Sequence, residues 1–263
     1  MSRLPDSHIG YIGLGADGRP IERYYGWNPF GFGCSNCHDG ICGTRGVKCW
    51  ASQLAKRMKC PQCRAFVPHF HAERLEQPLH TKAPGIALVG FQSDIGDEGR
   101  AMEDVFRVLE ATGRADHHTY VFLTQQPEHL AWVCKEWTVT AMPNWWWGLT
   151  VHDQEDFDAK WPAFRRIPGH KWVSHEPAQG PVDWAPALAD ESVTGIIIGH
   201  DRNRGAKGTE DWDRLYECQG VWIRAGRMSY LKQQWAWDGR FVKADGTDPA
   251  DCLPWSLPPE ATR

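Results

Sequence analysis

The chain lacks any hydrophobic run long enough to cross a membrane. A transmembrane helix needs roughly 18 or more consecutive apolar residues, and no stretch of the 263 residues reaches that length. The first residues, MSRLPDSHIGYIG, also lack the basic start and apolar centre of a secretory signal. The sequence therefore predicts a cytoplasmic protein with no membrane partner.

Neither sign of charge is in large excess. The chain has 29 Lys and Arg residues against 33 Asp and Glu residues, which gives a formal net charge of −4. This balance provides no overall basic field for nucleic acid, although a local stripe of Arg202, Arg204 and Lys207 could still bind it. Charge alone therefore leaves the partner open.

Cysteine and tryptophan, in contrast, are abundant. Six of the nine cysteines fall between positions 34 and 63, and because disulfides are rare in cytosolic proteins, a metal ion or cluster is the simpler explanation. We interpret Cys134, Cys218 and Cys252 as ordinary buried thiols. The run Trp145-Trp146-Trp147 could stack on a base or on the adenine of a cofactor, although packing in the core is the favoured interpretation.

Short apolar runs alternate with helical stretches along most of the chain. An early strand is expected near residues 24–27, and further strands are predicted at 86–91, 119–124, 146–151, 171–174, 193–199 and 221–224. Helices are predicted at 51–58, 99–112, 128–137 and 210–218. Continuous apolar strands suit a parallel sheet that is buried on both faces. The pattern predicts an α/β fold, a partial or closed (β/α) barrel, in one domain over 1–263 with a Cys-rich insertion at about 34–71 and a C-terminal extension at about 235–263.

Polar residues follow the predicted strands, where barrels of this kind hold their working residues. The candidates that share this position are Ser93, Asp94, Thr124, His152, His175, Glu176 and His200. The histidines could donate protons or contact substrate near neutral pH, although a lone histidine is more often structural. Asp94 could instead cap a helix or form a salt bridge, and Thr124 could form a turn hydrogen bond.

Four cysteines, at 34, 37, 42 and 49, lie between the first predicted strand and the helix at 51–58. Three thiolates on one loop can hold three irons of a [4Fe–4S] cluster, which leaves the fourth iron open to S-adenosylmethionine (SAM). Structural zinc binding by these cysteines is the alternative.

A second cysteine pair, Cys60 and Cys63, has the C-x2-C spacing of a zinc knuckle. The residues that could complete four-coordinate binding are Cys37, His38, His69 and His71. Of the possible sets we choose Cys37, Cys60, Cys63 and His71 as a second metal site, for zinc. Two reduced free thiols at positions 60 and 63 are the alternative.

Short motifs follow one another in a fixed order over roughly residues 26–235. They include Trp27-Asn28-Pro29, Gly33-Cys34, Cys49-Trp50-Ala51, Ser93-Asp94-Ile95, Gly148-Leu-Thr-Val151, Ser174-His-Glu176-Pro177 and Ile196-Ile-Ile-Gly199. In their order and spacing they resemble a phage-borne family of radical-SAM-like proteins of unassigned function. The resemblance implies that Cys34 and Cys49 are the first and last cluster ligands. Cys42, which follows the turn-forming Asp39-Gly40, is favoured over Cys37 as the third, although C-x7-C-x6-C departs from the usual C-x3-C-x2-C spacing.

The resemblance further implies a radical SAM enzyme, which cleaves SAM to a 5′-deoxyadenosyl radical that abstracts hydrogen from its substrate. The residues implied in SAM binding are Ser93, Asp94, Thr124, Glu176 and His200, and those implied in catalysis are His152, His175 and Glu176. An electron donor such as flavodoxin would be a partner, and the host-cell cytoplasm would be the location.

The phage resemblance makes a nucleic-acid base the expected substrate. We expect isomerisation or carbon–carbon bond formation on a hypermodified thymine, either in DNA with the base extruded from the duplex or in a free nucleotide. One alternative is radical repair of a damaged pyrimidine, as in photoproduct lyases. Another is a non-enzymatic, zinc-stapled binding module.

Overall fold

The computed structural model describes residues 1–4, 23–38, 41–42, 47–199 and 209–232, with side chains for 1–4, 23–37, 49–199 and 212–232. Its strands are β1 (Ser2–Arg3), β2 (Tyr24–Trp27), β3 (Cys37–His38), β4 (Ile41–Cys42), β5 (Val47–Lys48), β6 (Ile86–Val89), β7 (Thr119–Thr124), β8 (Trp145–Thr150), β9 (His170–His175), β10 (Val193–Ile198) and β11 (Met228–Leu231). Its helices are α1 (Trp50–Ala55), α2 (Pro61–Arg64), α3 (Gln77–His80), α4 (Met102–Arg114), α5 (Pro127–Glu136), α6 (Gln154–Phe164), α7 (Ala185–Leu188) and α8 (Thr209–Arg224), with a 3₁₀ turn at Ala72–Arg74.

Eight strands form one sheet in the order β1-β2-β6-β7-β8-β9-β10-β11. The edge strand β1 is antiparallel to β2, and every other neighbouring pair is parallel. The parallel strands follow one another in chain order, so right-handed crossovers place the connecting helices on the same face. On the other face the side chains of the strands pack against one another, as in the interior of a (β/α) barrel.

Side-chain burial separates these two faces strand by strand. In β6, Ala87 and Val89 pack with the helices, whereas Ile86 and Leu88 join a second cluster made only of residues from strands. That inner cluster consists of Tyr24, Ile86, Leu88, Val121, Trp146, Trp172, Ile197 and Tyr230. Because successive side chains on a strand point to opposite faces, strands buried on both faces read as continuous apolar runs.

The described strands form an open sheet. β1 and β11 lie at its two edges, and no described strand joins them. The predicted α/β class is confirmed, and the sheet of the described residues is not closed, an arrangement that a partial barrel would also have. No helix among the described residues is long and apolar enough to span a membrane.

The strand predicted at 221–224 is wrong. These residues form the last turn of α8, and the strand is β11, Met228–Leu231. The short run Val-Trp-Ile-Arg fits either structure by periodicity, and burial of Trp222 against the helix-side core decides for the helix. The proposed C-terminal extension at about 235–263 lies outside the described residues.

The tryptophan run on β8 is core, in agreement with the favoured interpretation. Trp145 and Trp147 pack on the helix side, and Trp147 stacks on Phe122 with ring centroids 4.3 Å apart. Trp146 points to the inner face. All three side chains are buried.

Gly148 is needed because the Trp172 ring occupies the space above it. A Cβ at Gly148 would overlap the Trp172 ring and lie 2.8 Å from the Phe122 carbonyl oxygen. Overpacking of this kind costs about 1–3 kcal/mol. We therefore expect Gly148→Ala to lower the free energy of unfolding by that amount in urea titrations.

Gly113→Ala is the matched control for this substitution. Gly113 lies in α4, and a Cβ there would meet no atom within 4 Å. Its free energy of unfolding should stay level or rise by up to about 1 kcal/mol, because alanine favours helix. Equal stability of the two variants would contradict the described packing of the inner face.

Candidate metal centre at the carboxyl edge of the sheet

The loops that follow β2, β6 and β7 meet at the carboxyl edge of the sheet. The loop after β2 carries Cys34, and it continues the parallel pairing through a bridge between Gly33 and Ser93. The polar residues predicted after β6 and β7 therefore lie beside the cysteine loop, as the sequence indicated for neighbouring parallel strands.

Arg100 joins three segments at this edge. Its Nε donates to the Asp94 carbonyl at 2.6 Å, Nη1 to the His69 carbonyl at 3.1 Å, and Nη2 to the Gly33 carbonyl at 2.9 Å. The guanidinium also lies 4.4 Å from the centroid of the Phe30 ring. Burial lowers the pKa of Arg100, while the Asp97 carboxylate opposes that shift. The buried cation thus holds the residue before Cys34 in place.

Asp97 holds the residue after Cys34. Its Oδ2 accepts from the Ser35 amide at 2.5 Å and from Gln126 Nε2 at 3.3 Å, and its Oδ1 accepts from the Gly99 amide at 2.9 Å. Gln126 Nε2 also lies 3.2 Å from Ser35 Oγ. The backbone on both sides of Cys34 is therefore fixed by buried charged residues, Arg100 before it and Asp97 after it. The sequence analysis did not predict this arrangement.

The predicted cofactor residues Asp94 and Thr124 are brought together. Asp94 Oδ1 accepts from Thr124 Oγ1 at 2.6 Å and from the Gly96 amide at 2.8 Å, and Oδ2 accepts from the Gln125 amide at 2.7 Å. Burial raises the pKa of the Asp94 carboxyl, against these hydrogen bonds. These contacts tie the loops after β6 and β7 together, and a role in SAM binding stays a prediction.

Two of the remaining predicted cofactor residues, Ser93 and Glu176, follow strands at the same edge. Ser93 Oγ donates to the Gly90 carbonyl at 2.9 Å, which closes the turn after β6. Glu176 follows β9 and forms an ion pair with Lys232 Nζ at 2.8 Å. His200 lies outside the described residues.

The two histidines predicted to be catalytic are buried among the helix-side residues. His152 Nδ1 lies 2.9 Å from Asp156 Oδ2, and Lys160 Nζ lies 2.8 Å from the other carboxylate oxygen. Burial opposes ionisation of Asp156, yet His152 and Lys160 hold its pKa well below the usual range. His175 Nδ1 donates to the Val151 carbonyl at 2.9 Å, and burial lowers its pKa to about 4. Their catalytic roles stay predictions.

The cluster cysteines include one pair of thiols in contact. Cys37 and Cys49 share a side-chain hydrogen bond, and burial raises the pKa of Cys49 while the Ser52 amide opposes that shift. The Cys37 amide donates to the Cys34 carbonyl at 3.3 Å, and Cys37 pairs with Cys42 between β3 and β4. The side chain of Cys42 lies outside the described ones. The choice between Cys37 and Cys42 as third ligand stays open.

A compact Cys2His2 group lies next to this loop. The four ligand atoms of Cys60, Cys63, His69 and His71 lie within 4.8 Å of one another, and the group could hold a metal ion such as zinc. The Nε2 atoms of the two histidines are 3.0 Å apart. Cys63 Sγ lies 3.3 Å from His69 Nε2 and 3.4 Å from His71 Nε2, and Cys60 Sγ lies 3.7 Å from His69 Nε2.

The group that the structure brings together contains His69 in place of Cys37 of the predicted set. Cys37 contacts Cys49 instead. The signal for His69 was present in the sequence: His69 and His71 are two apart on a short extended segment that returns toward α2, and both were candidates. The spacing of these residues could not decide whether Cys37 or His69 is the fourth ligand, because spacing does not show which segment folds back onto the C-x2-C turn.

Comparison with protein families places the chain in one of them. A family model described as "Protein of unknown function (DUF5131)" matches residues 23–245. The chain belongs to this family. No curated protein and no solved structure matches the chain. The DUF5131 match extends over all seven parallel strands of the described residues and over both cysteine groups. The edge described above therefore lies within the region that the family model covers.

The buried His175 gives this DUF5131 protein a specific acid sensitivity. The unfolded side chain protonates near its ordinary pKa of 6.5, whereas the folded one stays neutral down to about pH 4. The unfolded state therefore binds more protons between these values, and the free energy of unfolding falls as the pH is lowered through that window.

His175→Asn should reduce this pH dependence. Asparagine keeps a donor for the Val151 carbonyl but does not titrate. Urea titrations between pH 4 and 6.5 should show a slope shallower than that of the parent by up to about 1.4 kcal/mol per pH unit. Parallel curves for the parent and the variant would contradict a buried, neutral His175.

Proposed function

We propose that this protein is a radical SAM enzyme whose [4Fe–4S] cluster is held by Cys34, Cys49 and either Cys42 or Cys37. The observation that carries the proposal is the location of Cys34: its loop leaves the first parallel strand at the carboxyl edge, and buried Arg100 and Asp97 fix the backbone on both sides of it. Enzymes built on parallel (β/α) units hold their working residues at this edge.

The donor chemistry of the loop fits such a cluster. Iron–sulfur clusters require thiolate ligands, and the thiols of Cys37 and Cys49 already share a hydrogen bond while a backbone hydrogen bond links Cys37 to Cys34. When bound, a reduced cluster with one open iron supplies the electron that cleaves SAM. The chain itself fixes the backbone on both sides of Cys34, because the buried Arg100 and Asp97 are hydrogen-bonded to Gly33 and Ser35.

Residues along the same edge are proposed to bind SAM and to act on the substrate. The proposed SAM residues are Ser93, Asp94, Thr124, Glu176 and His200, and the proposed catalytic residues are His152, His175 and Glu176. Glu176 is the best supported of them, since its side chain remains partly exposed at the edge beside Lys232. Its carboxylate could accept hydrogen bonds from ribose hydroxyls or from an amino group.

The proposed substrate is a hypermodified thymine, in phage DNA or as a nucleotide, and the proposed reaction is isomerisation or carbon–carbon bond formation. Support for the substrate comes from the resemblance to phage-borne proteins. Trp145, Trp146 and Trp147 are buried in the sheet, so the stacking surface for a base is proposed to come from other residues. An electron donor such as flavodoxin would reduce the cluster.

Anaerobic reconstitution tests the proposal. The parent should bind about four irons per chain and, once reduced, convert SAM to 5′-deoxyadenosine. Cys34→Ala and Cys49→Ala should abolish this product, because each removes a thiolate ligand. Comparison of Cys37→Ala with Cys42→Ala then identifies the third ligand. Product formation is measured by chromatography, and folding of each variant by thermal unfolding.

Cys134→Ala is the matched control for these variants. Cys134 is a buried thiol in α5, within the helix-side core, so its removal should leave 5′-deoxyadenosine formation intact. A folded parent that binds no iron and leaves SAM uncleaved would overturn the radical SAM proposal. A parent that binds zinc alone would favour the second candidate, a zinc-stapled binding module, which the Cys2His2 group supports.

A further inference from the structure

We infer that Cys60, Cys63, His69 and His71 form a structural Zn²⁺ site with four protein ligands, and that this site stabilises the neighbouring loop that carries Cys34. This inference does not depend on the proposed radical SAM activity, because the four ligands are separate from the cysteines at 34–49.

Four of the six distances among the ligand atoms agree with tetrahedral zinc. Zn–S bonds of about 2.3 Å and Zn–N bonds of about 2.0–2.1 Å require about 3.3 Å between two nitrogens and about 3.5 Å between sulfur and nitrogen. The corresponding separations here are 3.0 Å between the nitrogens and 3.3, 3.4 and 3.7 Å between sulfur and nitrogen. Two thiolates and two imidazoles favour zinc over the oxygen-seeking Mg²⁺ and Ca²⁺.

The other nitrogen of each imidazole determines its tautomer. His69 Nδ1 lies 2.7 Å from the Val67 carbonyl, and His71 Nδ1 lies 2.7 Å from Glu73 Oε1. Both partners are acceptors, so each Nδ1 carries a hydrogen and each Nε2 is left as the nitrogen that can bind a metal. The two Nε2 atoms lie 3.0 Å apart beside two sulfurs. The contact of Nδ1 with a carboxylate or a carbonyl is the usual outer shell of a zinc-bound histidine.

The group is packed against the protein on the side of Cys63 and Gly31. Cys63 is buried, and Gly31 lies directly against the rings of His69 and His71. A Cβ at Gly31, where φ is +62°, would be 2.6 Å from the His69 ring and 2.9 Å from the His71 ring. Four protein ligands without an open position are typical of structural zinc, whereas catalytic zinc keeps one position for water.

The site is joined to the loop of Cys34 through backbone contacts. The His71 amide donates to the Pro29 carbonyl at 2.7 Å, and the His69 carbonyl accepts from Arg100, which also holds the Gly33 carbonyl. Zinc that fixes the two histidines would therefore fix the segment that Arg100 joins to the cysteine loop.

Metal analysis of the purified protein tests the inference. After dialysis, mass spectrometry should find about one zinc per chain, and Cys63→Ser should lose it. After removal of the zinc with a chelator, added Co²⁺ should give the visible absorption of a tetrahedral site with two thiolates, and this absorption should be absent in Cys63→Ser. A folded parent without zinc, or with iron at these residues, would overturn the inference.

Glu73→Gln keeps the test decisive should Cys63→Ser fail to fold. Its side chain is exposed and touches the site only through His71. Loss of such an outer partner weakens metal affinity by about 10- to 100-fold, so a competing chelator should remove zinc at correspondingly lower concentration. Glu76→Gln, which removes an exposed carboxylate paired with Arg114, is the control and should match the parent. Equal zinc retention in both variants would contradict the assigned role of His71.

Discussion

The hydrogen bonds of the buried Arg100 guanidinium are the constraint on which the edge of the sheet depends. Three carbonyls from three different segments accept from it, at Gly33, His69 and Asp94. Each buried carbonyl left without a donor costs about 1–3 kcal/mol, so the three segments are held in one arrangement. Since arginine stays charged in proteins and presents its donors in a rigid fork, lysine could not make the same set of contacts.

This constraint brings two cysteine groups to one place. The loop after β2 presents Cys34 beside the ends of β6 and β7, and Asp97 holds its next residue through the Ser35 amide. The Cys2His2 group lies on the other side of Arg100, against Gly31. We propose different tasks for the two groups, radical chemistry for the first and a zinc staple for the second, because the first follows a parallel strand at its carboxyl end and the second brings four protein ligands together.

Much of the fold could be predicted from the sequence. Continuous apolar runs in β6, β7, β8 and β10 identify strands buried on both faces, and helices with one apolar side separate them. The run at 221–224 was wrongly predicted as a strand, because four apolar and basic residues fit a strand or the end of a helix equally well. Tertiary burial of Trp222 decided between them.

The candidate site was less predictable. The C-x2-C spacing marked Cys60 and Cys63, but only the return of the chain over Gly31 selects His69 over Cys37. Arg100 and Asp97 carry no motif, since their importance comes from contacts 29 to 67 residues away along the chain. The sequence marks Asp97 and Arg100 only as two charged residues at the start of a predicted helix, where such residues are expected to cap the helix.

X-ray absorption at the iron and zinc edges of one anaerobically reconstituted sample tests the central claim of two separate metal centres most directly. The account predicts zinc with two sulfurs at about 2.3 Å and two nitrogens at about 2.0 Å, together with iron coordinated mainly by sulfur from protein thiolates and sulfide. Zinc surrounded by four sulfurs, with no iron bound, would contradict it, because the cysteines of the first loop would then hold the zinc themselves.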